Sequence, residues 1–345
     1  MGKINRIIQR SAIGFFIFTI ALLSTATCSL PTAQAEEPIV LKLSYPMPSR
    51  GFHGQGYTFF AKAVAEESNG EIKIENFPAR SLIGDPEALD AVMRGNVDIV
   101  NFMVAYVSPT IKELIPFEIP GAYPGDKFKE FEETTHPVLE KIFSKYGVKY
   151  LGINNQDTIT FAAHKKIGSP IKKPSDLKGL TVRTPGKWGG ESIKMWGGSP
   201  VTVSLGDLSS SLDRGTIKVC YTGWIITGPF KLYEPAPFVT MTNLQEMLCG
   251  LLMSEKAWKK LNLSQQAAIQ RASQRWMNFS NQLSDKMKQE FQTKVKESGG
   301  TIYPLSNSEN EAFKKVTRPL LHQVSKLSGP EGQELIKIFS ELRGE

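Results

Sequence analysis

The 345-residue chain is 41% apolar, 22% charged and 10% aromatic, an ordinary globular make-up that excludes collagen-like, disordered and disulfide-scaffold classes. Its length suits two folding units of roughly 150 residues each, with apolar material for sizeable cores. The net charge of +7 shrinks to 38 Lys+Arg against 34 Asp+Glu once residues 1–35 are set aside, and no basic block or interleaved aromatic–basic stretch marks a nucleic-acid surface.

The first 35 residues read as a cleavable export signal. Lys3, Arg6 and Arg10 form a positive start, Ala12 to Ala26 an apolar core, and Ala33-Gln34-Ala35 a small-residue cleavage site. The apolar core is short for a spanning helix, and no later segment approaches 18 uninterrupted apolar residues. The expectation is a soluble, periplasmic mature chain beginning at Glu36. A lipid anchor at Cys28 ranks second, because Thr25-Ala26-Thr27 lacks the usual pattern before a lipidated cysteine. Cys220 and Cys249 then remain, and they either pair or stay buried as free thiols; spacing does not decide.

Strands and helices alternate from there. Val40 to Ser44 reads as a strand running into the Pro/Gly loop YPMPSRGFHGQG, and Tyr57, Phe60, Ala61 and Val64 mark one face of a helix. Glu71 to Glu75 alternates as a strand. Asp85 and Pro86 open a helix that Gly95 ends, and Val97 to Phe102 is a short buried strand. Val148 to Ile153, Thr158 to Ala163, Leu180 to Arg183 and Val201 to Val203 read as further strands, with a helix around Ser192 to Trp196. Asp207 caps a helix that stops at Gly215 before the strand Ile217 to Tyr221. ALDAVMRGNVDIV and DLSSSLDRGTIKVC align at Arg94-Gly95 and Arg214-Gly215, a faint repeat predicting two similar α/β lobes. Beyond residue 254 the chain is mostly helical, with a long helix from Ser264 to about Ser298 and one strand at Thr301 to Pro304. Export and two α/β lobes point to a hinged binding protein.

Catalytic patterns are missing. His53, His136, His164 and His322 share no metal-ligand spacing with one another or with a cysteine, and neither G-x-S-x-G nor HExxH occurs. Around Gly186 to Gly190, Thr181 stands where a phosphate loop needs its first glycine. The Glu66-Glu67 pair belongs to a solvated helix face. A non-enzyme without a cofactor is expected.

Three segments carry a family resemblance. Pro78 to Val100 (PARSLIGDPEALDAVMRGNVDIV), preceded by FAKAVAEESNGEIKIENF, resembles the first-lobe signature of the solute-binding proteins of tripartite ATP-independent periplasmic (TRAP) transporters, the DctP family. Pro170 to Gly186 (PIKKPSDLKGLTVRTPG) is similar to that family's arginine-bearing segment, and Arg214 to Thr240 is a partial match. The resemblance implies an α/β, two-lobe periplasmic binding protein fold with a hinge, crossing strands and a long C-terminal helix spanning both lobes. It divides the mature chain into lobe I, 36–157 plus about 249–288, and lobe II, about 158–248 plus 289–345. It implies delivery of a small carboxylate to the small and large membrane subunits of a transporter; the rival class is a binding module serving a receptor or another transporter. The chain reads as a monomer, with dimerisation through the long helix left open.

The family motif places its ligand-binding arginine at Arg183, and a guanidinium fork matches the two oxygens of a carboxylate. Two departures narrow the ligand: Lys218-Val219 stands where the family commonly has Asp-Gly, and Asn154 to Lys166 lacks the second arginine of many members. A monocarboxylate with an apolar or aromatic body fits better than a dicarboxylate. The expected walls are Phe52, His53, Phe102, Tyr106, Trp188, Tyr221, Thr222 and Trp224. Of these Phe102 leans toward the core and His53 toward solvent.

Overall fold

The computed structural model describes residues 37–345. The expected leader, Cys28 and the cleavage site lie outside the described residues. The chain opens with β1 (Ile39–Ser44), α1 (Phe52–Glu67), β2 (Ile72–Phe77), α2 (Asp85–Met93), β3 (Ile99–Met103) and the single turn α3 (Val104–Val107). After α4 (Phe128–Ser144) comes the long strand β4 (Val148–Ala163), then β5 (Thr181–Arg183), α5 (Lys187–Met195), β6 (Ser199–Val201), α6 (Leu208–Asp213), β7 (Val219–Thr222) and the single turn α7 (Trp224–Thr227). A second long strand, β8 (Phe238–Ser254), leads to α8 (Glu255–Trp258), α9 (Leu263–Glu297), β9 (Thr301–Pro304), α10 (Asn307–Leu327) and α11 (Gly329–Arg343).

The strand order is β2-β1-β3-β8-β4-β7-β5-β6, with β9 beside β8. β1 runs parallel to β2 and β3, and β5 parallel to β6 and β7, so each half keeps the parallel α/β grammar. Between the halves lie β4 and β8, antiparallel to each other along their length, with register shifts at Tyr150/Gly152, Asn155/Asp157 and Thr158/Thr160. The expected pair of strands at 148–153 and 158–163 is thus one strand bent through irregularities. Its partner β8 carries no clean alternation of apolar and polar residues, and the sequence pattern assigns it no element; nor does it assign α4.

The faint repeat is real. α2 and α6 both end on an arginine followed by a left-handed glycine, Gly95 (φ 69°) and Gly215 (φ 72°), a backbone state that side-chain-bearing residues avoid. Each glycine feeds a short strand and then a four-residue helical turn, β3–α3 in one half and β7–α7 in the other. α2 starts with Gly84 as its N-cap, one residue before the expected Asp85.

The long helix α9 opens with a reciprocal Asn262–Gln265 capping box. Its first turns bury Ile269, Trp276 and Met277 with α1, β1 and β2 of the first half, and its last turns bury Met287, Phe291 and Val295 with β7, α7 and β5 of the second. One helix therefore belongs to both cores, which makes this the two-lobe fold with a spanning C-terminal helix. Glu66 and Glu67 of α1 do not simply face solvent, since they pair with Arg275 and Arg271 of α9 at 2.6 and 2.7 Å. The terminal helix α11 packs against elements of the first half. Leu335, Phe339 and Leu342 pack with Phe117, Phe131 and Phe143, partners on the 112–118 turn and α4, because its apolar stripe faces that cluster.

Where β4 and β8 cross, backbones meet closely. A Cβ on Gly250 would lie 2.5 Å from the Gly152 carbonyl oxygen and 2.4 Å from the Phe102 ring. Gly250→Val should cost about 1–3 kcal/mol through overpacking, read as a lowered denaturant midpoint; an unchanged midpoint would contradict this close approach.

Candidate functional site

Arg183 is the last residue of β5, in register with Cys220 of β7 and Val201 of β6. This is the C-terminal end of a parallel strand, where crevices in α/β sheets take ligands. The side chain is 3% exposed, and Nε donates to the Val203 carbonyl at 3.3 Å. It forms no ion pair among the described residues. Its positive charge favours ionisation of the neighbouring Cys220 thiol, but burial wins and pushes that thiol up to about 11. Cys220 and Cys249 are both buried and no disulfide joins them, so the open question of their pairing resolves to two unlinked thiols.

Arg183 faces a cavity to which both halves contribute. Met47, His53, Asn101, Met103 and Tyr106 come from the first half, Leu205, Thr222 and Ile226 from the second, and Gln156 and Met247 from the crossing strands. Pro46 and Pro185 close its edges. The enclosed space is only about 20 Å³, room for roughly one water and far short of an organic acid. Admitting a ligand requires the two halves to part.

The polar floor is a chain of buried side chains. The Gln156 and His53 Nε2 atoms lie 2.5 Å apart, and the Asn101 amide nitrogen sits 2.5 Å from Tyr57 Oη and 2.6 Å from Cys249 Sγ. Burial pushes His53 down to about 4, so its imidazole is neutral at neutral pH. An amide N–H donating to Nε2 requires the tautomer protonated at Nδ1. Gln156 Oε1 is buried without a partner and is free to accept from a ligand donor. Arg183 is the single charged side chain of the lining.

Of the expected wall residues, Arg183, His53, Tyr106 and Thr222 line this cavity; His53 is buried there instead of facing water. The other aromatics are elsewhere. Phe102 packs edge-on against Phe143, Tyr221 against Phe161 and Trp196, and Phe52 and Trp224 lie in the second half's core. A strand alternates faces, so proximity to a strand end leaves open which face a ring takes. The walls are methionine and aliphatic instead. Two missed polar residues had a sequence signal: Asn101 interrupts the apolar run IVNFM, and Gln156 sits in the polar run NNQD of a buried strand.

Trp188 has a different task. At the first turn of α5 it inserts into the apolar cluster of the first half, beside Ile115 and Val107, and lines a groove with Pro109 and Leu327. Its backbone N–H donates to Glu118, which also accepts from Ser108 Oγ. A Cβ on Gly186 would lie 2.4 Å from Glu118 Oε2, so the two segments touch closely. Burial raises Glu118 to about 7. Because that lies above the unfolded value near 4.5, its contribution to stability is complete below pH 4.5 and is lost as pH rises through 7. Glu118→Gln lacks this titration, so its stability relative to wild type should rise between pH 4.5 and 7 and then level off; a pH-independent difference in thermal melts would refute the assignment.

A larger groove of about 370 Å³ lies near the C-terminus, but its cations are engaged: Lys127 with the Leu342 carbonyl, Lys314 and Arg318 with Glu311, and Arg343 with Glu345. Its charges satisfy one another.

Comparison with known proteins fits this architecture. The sequence profile of DctP, bacterial extracellular solute-binding protein family 7, matches residues 43–327. A Nostoc protein described as a monocarboxylate 2-oxoacid-binding periplasmic protein is 27% identical, covering 87% of this chain and 83% of its own. The C4-dicarboxylate-binding protein DctB of Bacillus subtilis is 22% identical over 89% of this chain and 87% of its own. Among solved structures, a TRAP periplasmic solute-binding protein from Ochrobactrum anthropi superposes with TM-score 0.82 at 20% identity, covering 89% of this chain and 97% of that one. The chain belongs to the DctP family of TRAP solute-binding proteins, a family of binders and not of catalysts.

Proposed function

We propose that this protein captures a small organic monocarboxylate with an apolar body and delivers it to the membrane subunits of a TRAP transporter. The observation that carries the reading is Arg183: a guanidinium that is 3% exposed, has no ion pair among the described residues, and faces an otherwise uncharged cavity. A buried charge is costly unless matched, and a carboxylate matches its fork with two parallel hydrogen bonds. One cation in the lining suits one carboxylate. The methionines offer an adaptable apolar surface to the rest of the ligand, and Gln156 Oε1 would accept from a hydroxyl or amine on it. The Nostoc relative's description as a binder of monocarboxylate 2-oxoacids supports the same class.

The lobes are assigned as 37–157 with about 249–288, and about 158–248 with the following residues through α10; α11 returns to the first. In the open state Arg183 is hydrated. The carboxylate pairs with it, and closure excludes water and strengthens the pair. Trp188 and Glu118 join the lobes once they meet. Residues 1–35 direct the chain to the periplasm.

A thermal-shift panel of small carboxylates and their amides tests this. A ligand at a hundred times its Kd stabilises by about 2.7 kcal/mol. Shifts should come from monocarboxylates, vanish with the amides, and vanish in Arg183→Ala; Arg183→Lys should fail nearly as badly, because a point charge does not replace the fork. Equal shifts in wild type and Arg183→Ala would overturn the site.

A further inference from the structure

The crossing strands have two faces, and the ligand cavity uses one. Gln156 and Met247 point into it, while their neighbours Asn155, Asp157 and Glu246 line a second cavity of about 490 Å³ on the opposite side. Helix α9 supplies the other wall through Asn281, Ser284, Asp285 and Lys288, a spacing that puts all four on one helical face. The chain thus surrounds this space with the elements that pass between the lobes.

Its lining leaves several buried oxygens without hydrogen-bond partners. Asp157 is 1% exposed. One carboxylate oxygen, Oδ2, accepts from the Ile225 N–H at 3.1 Å, and the other, Oδ1, has no hydrogen-bond partner. Asn155 Oδ1 and Asn281 Oδ1 are likewise buried without a partner. The Glu246 carboxylate lies beside them, accepting from Thr158 Oγ1 at 3.0 Å, and its charge bears on Asp157. Of the two lysines of the lining, Lys129 lies 3.9 Å from Glu133, and Lys288 lies 3.7 Å from Asp285 and is also the leading charge that favours ionised Asp157, against burial and the charge of Glu246. Unpaired buried oxygens cost free energy, and a carboxylate with amide carbonyls is the donor set of a hard cation.

We propose that this hinge cavity binds a hard, oxygen-seeking metal cation through Asp157, Asn155 and Asn281, with Glu246 completing the negative field. The site is separate from the carboxylate cavity, although Ser284 hydrogen-bonds the backbone carbonyl of Gln156 and so links the two across one strand. A cation here would bridge β4 to α9 at the point where the lobes join.

The test uses the purified, chelator-treated protein, titrated with CaCl₂, MgCl₂, NaCl and KCl at constant ionic strength held with choline chloride. Melting temperature and calorimetric heat are both followed. At least one cation should give a saturable rise of several degrees and a single-site isotherm. Asp157→Asn, which keeps shape and the acceptor for Ile225, should weaken that affinity tenfold or more, and Asn281→Ala serves if the first variant does not fold. Arg183→Ala should retain the cation response while losing carboxylate binding, so failure of the cavity reading and failure of this one are told apart. No response to any of the four salts would overturn the proposal, leaving these oxygens to water. A response unchanged in both hinge variants, or abolished in Arg183→Ala, would also overturn it, the latter placing the cation with the central ligand.

Discussion

Everything in this molecule depends on two long antiparallel strands passing each other at its centre. β4 and β8 leave one parallel sheet and enter the other, so the halves are joined by continuous hydrogen-bonded backbone. Such a joint resists separation along the strands but bends where the ladder is irregular, and the irregularities at Asn155/Asp157 and Thr158/Thr160 lie at the crossing. The glycines at 152 and 250 let the two backbones and the Phe102 ring share that space. Strand alternation then divides the crossing into a face for the ligand cavity and a face toward α9.

On the ligand face, electrostatics and size work together. Neutral His53, amides and apolar side chains leave Arg183 as the single charge of the cavity lining. The enclosed volume is too small for an organic acid, so on the proposed function a ligand shifts the open–closed balance only by what it gains from enclosure. Trp188 and Glu118 add contacts between the segments around residues 105–118 and 186–188, independent of the ligand's chemistry. The start of α5 thereby holds the segment around 105–118 by packing and a backbone hydrogen bond, with Arg183 five residues upstream of Trp188.

Much of this was legible in the chain. The paired helix–Arg–Gly–strand segments foretold two similar α/β halves, because a left-handed stop followed by a buried strand is a local requirement. The segment PSDLKGLTVRTPG marked Arg183, since a charged residue at the end of a short apolar strand stands out and the family motif surrounds it. Asn101 and Gln156 were visible as polar residues in buried strands, although nothing local indicated that they meet. β8 escaped because a strand covered on both faces has no alternation to read, and the partner of α11 is not legible because helix amphipathicity does not name what the apolar stripe meets.

The sequence by itself determined the class of protein, the α/β halves, the long helix and the arginine, since these rest on periodicity, capping and short motifs within a few turns of chain. Only the tertiary structure decided which aromatics are core, that the cavity is walled by methionines, that the cysteines stay apart, and that Gln156 and Asp157 serve opposite cavities. Those outcomes depend on which face of a strand meets which neighbour across 50 to 200 residues of chain, a choice made by the packing of whole elements and by no local preference.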